Sequence, residues 1–213
     1  VLLLFLLFFT FFFELATDQY GSFVVCTALA AFDSSSVSEL INCVVSETNI
    51  CKIARTQYGC QLLQKWIDVA NDDQLKLISI ALSKCFVDVA RDKFGNHFCL
   101  KMMSSRAAQV INCQKGSIGL SQLMSNVATL AEHQHSSHVI QRIVEQQVWT
   151  QLSKETKIEI ANAISSNLPR LARHKLGSHV ARKAFSVVFG VGESWQDSID
   201  KSIQIEDFDK KLD

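Results

Sequence analysis

Apolar and small residues return along this chain with a fixed period. Five stretches align without gaps: LATDQYGSFVVC (15–26), IARTQYGCQLLQ (53–64), VARDKFGNHFCL (89–100), LAEHQHSSHVIQ (130–141) and LARHKLGSHVAR (171–182). Their shared alanines, Ala16, Ala54, Ala90, Ala131 and Ala172, lie 38, 36, 41 and 41 residues apart. Periods of this length mark architectures built by stacking one supersecondary unit on the next.

Each copy can be numbered from Tyr20, Tyr58, Phe94, His135 or Leu176 as offset 0. Offsets 4, 5 and 9 are then apolar in every copy, and offset 8 is apolar or alanine. At 100° per residue, offsets 0, 4, 5, 8 and 9 fill an arc of about 180° on a helix, which predicts a core face. Offsets 2, 3 and 6 gather on the other side within about 100°.

Further helices are expected between the copies. Asp33-Ser34 precedes SSVSELINCVV, Asn71-Asp72 precedes QLKLISIAL, Gly116-Ser117 opens a looser segment, and Ser153 precedes KETKIEIANAI. Residues of these types start helices by capping free backbone N–H groups. No stretch alternates as a strand does, and the lone proline, Pro169, is expected between helices. The sum is an all-α chain, an α-solenoid of units of about 40 residues whose repeated helix lines one face.

The polar letters of the repeated helix are unusual for a solvated surface. Free drift there favours Lys, Glu and Ala, the good exposed helix formers. Offsets 2, 3 and 6 instead hold Ser22, Phe23 and Cys26; Cys60, Gln61 and Gln64; Asn96, His97 and Leu100; Ser137, His138 and Gln141; Ser178, His179 and Arg182. These are mostly short or planar hydrogen-bonding groups with aromatic or imidazole planes beside them. Offsets 2 and 6 are one helical turn apart and could grip one base edge, while offset 3 could stack on a base. Offset 7 is Thr27 once and then Lys65, Lys101, Arg142 and Lys183, suited to phosphates.

At these residues the chain resembles the Pumilio (PUF) family of single-stranded RNA-binding repeat proteins. The resemblance rests on the aromatic-Gly-[Ser/Cys/Asn] helix start, the downstream Gln or Arg and the period, and it covers residues 15–189. It implies a right-handed superhelix of three-helix, armadillo-like repeats, each reading one base from its second helix, with the RNA antiparallel to the protein. Ser22, Cys26, Cys60, Gln64, Asn96, Leu100, Ser137, Gln141, Ser178 and Arg182 would then meet base edges. Phe23, Gln61, His97, His138 and His179 would stack. The partner implied is single-stranded RNA, an mRNA 3′ untranslated region in the cytoplasmic members, with protein co-regulators; a minority of the family serves ribosome assembly in the nucleolus. Only Gln64 and Gln141 supply the usual glutamine at offset 6, and no copy pairs Asn with Gln or Ser with Glu. Five copies stand where members commonly have eight.

Bulk properties change this picture little. Twenty-one basic residues balance twenty-one acidic ones in 213 residues. The stretch 190–213 carries seven acids against three lysines, a net of −4, so the preceding body stands at +4, compatible with nucleic acid. The chain therefore divides into an apolar segment (1–14), the repeats (15–189) and an acidic tail (190–213). The opening VLLLFLLFFTFFF is short of the ~20 residues that span a bilayer and reads as part of a truncated preceding unit or an artefact. A monomer with no membrane contact is expected.

Seven cysteines without a CxxC pair predict reduced thiols that pack as small hydrophobes in an intracellular protein, and neither a metal nor a cofactor is expected. His133, His135 and His138 form the one candidate metal cluster. Ser, His and Asp recur with the repeat rather than converging once, and no Gly-rich phosphate loop occurs, so an enzyme is not expected. The rival reading is a protein-binding solenoid of armadillo or HEAT type, whose period overlaps the later spacings.

Overall fold

The computed structural model describes residues 10–31, 47–104 and 123–188. The expected helices after Asp33-Ser34 and Gly116-Ser117, the first nine residues and the acidic tail lie outside them.

Each copy of the repeat forms a helical hairpin. In the first, α1 (Phe12–Thr17) turns into α2 (Gly21–Ala31); in the second, α3 (Glu47–Ala54) turns into α4 (Gln57–Val69). After α5 (Asp72–Ser83), the third copy folds as α6 (Phe86–Arg91) and α7 (Gly95–Ser104). The fourth is α8 (Val127–Ala131) and α9 (Ser136–Ile143), followed by the short α10 (Gln146–Trp149). The long α11 (Lys154–Ala172) and α12 (Lys175–Val187) complete the fifth. No strand occurs among the described residues.

The second helices pack in chain order, α2 on α4, α4 on α7, α7 on α9 and α9 on α12. Their partners form a second layer, with α1 on α3 and α8 against both α6 and α11. This is an α-solenoid. The core lies between the layers and is filled by the positions the periodicity marks: Leu62, Leu63, Trp66 and Ile67 in copy 2, Phe98, Cys99 and Met102 in copy 3, Val139, Ile140 and Ile143 in copy 4. Each large side chain so buried contributes about 1.5–3 kcal/mol from removal of apolar surface.

The start signals work as expected where they are described. Asn71 and Gln74 form a capping box over α5, each side chain accepting the other's backbone N–H at 2.9 Å. Ser153 accepts the N–H of Thr156 at the head of α11.

The glycine at offset 1 has a steric cause. A Cβ built on Gly59 would lie 2.4 Å from the carbonyl oxygen of Ile53, six residues back in the first helix of the hairpin. The same contact recurs at 2.5 Å between Gly95 and Val89, and at 2.6 and 2.8 Å at Gly21 and Gly177. The two helices of a hairpin meet backbone to backbone there. In copy 4, Ser136 replaces the glycine, and its buried hydroxyl donates to the carbonyl of Leu130, the equivalent residue, at 2.7 Å. Helix α9 opens at Ser136 as α2 and α7 open at Gly21 and Gly95, so the substitution keeps the register.

Three features depart from the expectations. Pro169 lies inside α11, not between helices. A proline removes its own N–H, which would have reached the carbonyl of Ser165, and crowds that carbonyl with its ring, but both residues are exposed near the end of a 19-residue helix, where the carbonyl can tilt out to water. Copy 1 does not bury its whole apolar arc: Tyr20 is 75% and Val24 55% exposed, whereas Leu62, Phe98, Val139 and Val180 at the offset of Val24 are buried. No earlier copy stands among the described residues to cover that flank. Finally, Cys51 and Cys85, expected as separate thiols, are joined by a disulfide with Cα atoms 6.1 Å apart, linking α3 to the residue that starts α6.

Candidate RNA-binding face

The stacked second helices place the five triads in a row, copy beside copy. Within each triad the three offsets occupy different depths. Offset 3 is exposed throughout, in Phe23, Gln61, His97, His138 and His179. Offset 6 is half-buried throughout, in Cys26, Gln64, Leu100, Gln141 and Arg182. Offset 2 lies deepest: Ser22, Cys60, Asn96 and Ser137 are buried and only Ser178 is half-exposed.

The deep groups are tied to the backbone. Ser22, Ser137 and Ser178 donate their hydroxyls to the carbonyls three residues earlier, at 2.9–3.3 Å. Asn96 spends both amide hydrogens, on Asp92 and Lys93, each at 2.9 Å. Its Oδ1 remains as an acceptor. The Cys60 thiol donates to the carbonyl of Phe94 in the next copy at 3.0 Å, and burial pushes its pKa up, so it stays a neutral thiol. A short polar residue at offset 2 thus has a structural task as well as a place on the face.

Two triads are assembled internally. Gln64 Nε2 lies 3.2 Å from Cys60 Sγ and 3.3 Å from its carbonyl, which leaves the amide oxygen of Gln64 as the acceptor of that pair. In copy 5, Arg182 Nη2 lies 2.6 Å from His179 Nδ1, so one guanidinium links the edge and stacking positions.

The offset-7 bases are all engaged, Lys65, Lys101 and Lys183 with the preceding copy and Arg142 within its own. Lys101 pairs with Asp68 at 2.6 Å and Lys183 with Glu145 at 2.7 Å, and Arg142 shares that same Glu145. Lys65 lies 5.6 Å above the ring of Phe23 in copy 1. Burial pushes the Glu145 carboxyl up, but Lys183 and Arg142 outweigh it and hold the group below the ordinary carboxylate range. Asp68 and Glu145 are residues that the repeat alignment passed over. Both sit at offset 10 and face offset 7 of the following copy, so a search for acids one helical turn past the triad would have found them.

On the opposite edge, the turn into each second helix is closed by the residue at offset −2. Asp18 accepts the N–H groups of Tyr20 and Gly21, and Asp92 those of Phe94 and Gly95. Thr56 accepts that of Gly59, His133 that of His135, and His174 those of Leu176 and Gly177. The backbone amides holding Asp18 lower its pKa. Burial, Arg91 and His135 lower that of His133. The rings of His133 and His135 lie 5.9 Å apart, and no group of three or more His, Cys, Asp or Glu converges as a metal site among the described residues. No helix among those residues is long and apolar enough to cross a membrane.

The hairpin, its period and its row of triads have counterparts in known proteins. The Pumilio-family RNA binding repeat matches residues 11–25, 49–79, 85–105 and 126–147, and so takes in the first four copies. Those four copies are Pumilio-family repeats. Pumilio homolog 11 of Arabidopsis thaliana is 26% identical over 145 residues, 67% of this chain and 24% of the relative. The RNA-binding domain of yeast Puf5p, solved bound to AAT2 RNA, superposes with a TM-score of 0.71 at 22% identity, over 85% of this chain and 49% of that one. A mutant Puf4 bound to the Cox17 RNA 3′ UTR recognition sequence gives 0.70 at 20% identity, over 86% and 53%. The chain spans about half the length of those solved chains and from a tenth to a third of the curated relatives it matches. Its fifth copy lies beyond the matched stretches, yet it forms the same hairpin and packs on α9 as α9 packs on α7.

Proposed function

We propose that this chain binds single-stranded RNA along the row formed by α2, α4, α7, α9 and α12, with about one base per copy. One observation supports this above the rest. In five successive helices an exposed side chain at offset 3, aromatic, imidazole or amide, stands beside a half-buried one at offset 6. An exposed plane stacks on a base and the group one turn away meets its edge, a division of labour that single-stranded recognition requires. The base-edge residues are those at offsets 2 and 6, Ser178 and Arg182 in copy 5 among them. Because the hydroxyl, thiol and amide donors at offset 2 are held by the backbone, offset 6 carries more of the discrimination. Arg182 offers donors only, which suits acceptor-rich edges such as those of cytosine or guanine.

The biological role that fits is regulation of mRNA translation or decay in the cytoplasm through 3′ untranslated sequences. Solved relatives were captured with such RNA. A monomer acting with protein co-regulators and without catalysis follows from the same reading, and nucleolar ribosome assembly is the alternative within the family.

Selection of bound RNAs from a random pool tests partner class and base preference together. Enrichment of a short single-stranded motif whose 5′-most position changes in Arg182→Gln supports the proposal. Absence of enrichment over a protein-free control overturns it.

A further inference from the structure

The edge formed by the helix-entry turns of copies 3, 4 and 5 holds an open groove of about 700 Å³, lined by Arg91, Lys93, His133, His135, His174 and Lys175, among others. Two acids also line it, and each is met by an arginine: Asp92 by Arg55 at 3.8 Å, and Glu132 by Arg170 through two hydrogen bonds of 2.7 Å. Arg91, Lys93 and Lys175 form no ion pair among the described residues; Lys93 rests over the ring of Phe94 at 4.6 Å. Because His133 and His174 accept backbone N–H groups at Nδ1, their Nε2 atoms carry the ring proton and are left to donate. The turn amides that close on offset −2 are already taken by those imidazoles and by Asp92, so the chemistry of the groove belongs to its side chains.

We propose that this groove holds consecutive phosphates of the RNA strand whose bases meet the triads of copies 3 to 5. The proposal rests on the RNA-binding reading above and relocates its phosphate contacts. Lys101, Arg142 and Lys183 are committed to Asp68 and Glu145, whereas the three groove cations are not. Offset 7 and offset −1, where Lys93 and Lys175 stand, are eight residues apart, about 12 Å along the helix. The triads lie between the two edges. Three cations and two imidazole donors suit a chain of monoanionic phosphates better than one compact dianion, because the groove spans three turns instead of closing on one point.

The test compares wild type with the triple variant Arg91→Gln, Lys93→Gln, Lys175→Gln. All three positions are exposed, so the helical circular dichroism should be unchanged. Two fluorescent probes of equal length are used: a random-sequence single-stranded RNA pool and an abasic ribose-phosphate oligomer. The variant is expected to bind RNA roughly 10- to 100-fold more weakly at ~0.1 M salt, with the slope of log K against log salt lower by up to about 2 at ~0.7 per contact. Its ranking of the four bases at each position should be retained, and the abasic oligomer should bind wild type and lose most of that binding in the variant. Equal slopes and affinities, with wild type binding RNA well, overturn the groove and leave the RNA-binding reading standing. Displacement of the abasic oligomer by a phosphoserine peptide at lower concentration than by RNA assigns the groove to a protein partner and also overturns it. A wild type that binds neither probe removes both readings together.

Discussion

Copies 1 and 3 on one side, and copies 4 and 5 on the other, close the same turn with opposite chemistry. Asp18 and Asp92 bring a carboxylate to the head of α2 and α7, while His133 and His174 bring an imidazole nitrogen to α9 and α12. The backbone asks only for an acceptor at offset −2. Satisfying it with imidazole removes a negative charge from the edge without giving up the cap. The stacking position divides along a similar line, Phe23 and Gln61 early, then His97, His138 and His179. Geometry is what the repeat holds constant, and charge is what it leaves adjustable.

The largest effect expected at this comparison comes from the hairpin contact itself. Gly59→Ala forces a Cβ to within 2.4 Å of the Ile53 carbonyl and should cost about 1–3 kcal/mol in chemical denaturation. Ser136→Ala at the same offset loses one buried hydrogen bond and should cost about 1 kcal/mol. Equal losses at the two sites would mean that copy 4 has the same backbone approach and that its serine is incidental.

Removing the caps comes next. Asp92→Ala and His174→Ala should each cost about 0.5–2 kcal/mol, since each leaves two backbone N–H groups without their acceptor. A loss at one site only would show that the two residues are not equivalent after all.

Smaller still is the tie between copies 4 and 5. Glu145 titrates below its ordinary value of 4.5 in the folded chain, so its pairs with Arg142 and Lys183 stabilise above that pH. That contribution fades as pH falls through the lowered value. For pairs this exposed it amounts to a few tenths to about 1 kcal/mol. Thermal melts from pH 7 to 3 should show Glu145→Gln losing less stability on acidification than wild type. Parallel curves would mean the pairs contribute nothing.

The exchange Asp92→His with His174→Asp keeps an acceptor at both turns and should move stability by only a few tenths of a kcal/mol. It should move salt-dependent RNA binding most through position 174, where the new carboxylate would line the same groove as Lys175 and Arg91.

Much of this molecule could be read directly from its letters, because its stability comes from local units. The period, the five second helices, and the caps Asn71 and Ser153 all depend on residues within one or two helical turns of one another. What escaped notice depends on the register between copies. Nothing in a single nonapeptide says that Lys101 will meet Asp68, or that the thiol of Cys60 will reach the carbonyl of Phe94. The depth of offset 2 has the same origin, since angles on one helix say which side a residue takes and not how far a neighbouring copy covers it. Cys51 and Cys85 lie 34 residues apart with no spacing signature, so only the packing of α3 against the start of α6 pairs them. Pro169 misled because a breaker was expected to break, and an exposed last turn tolerates it.

The order of contacts, each second helix packing on the second helices next to it in the chain, has a consequence for how such a chain changes over time. A mutation in the triad of α12 reaches α2 only through three intervening helices, and solenoid stability is close to a sum of unit and nearest-neighbour contributions. Substitutions in different copies should therefore combine additively, with little epistasis between distant ones. Each copy is free to wander in sequence at its own rate. On the proposed reading, a chain built this way would acquire a new target one nucleotide at a time, every intermediate being a folded protein with a slightly altered address.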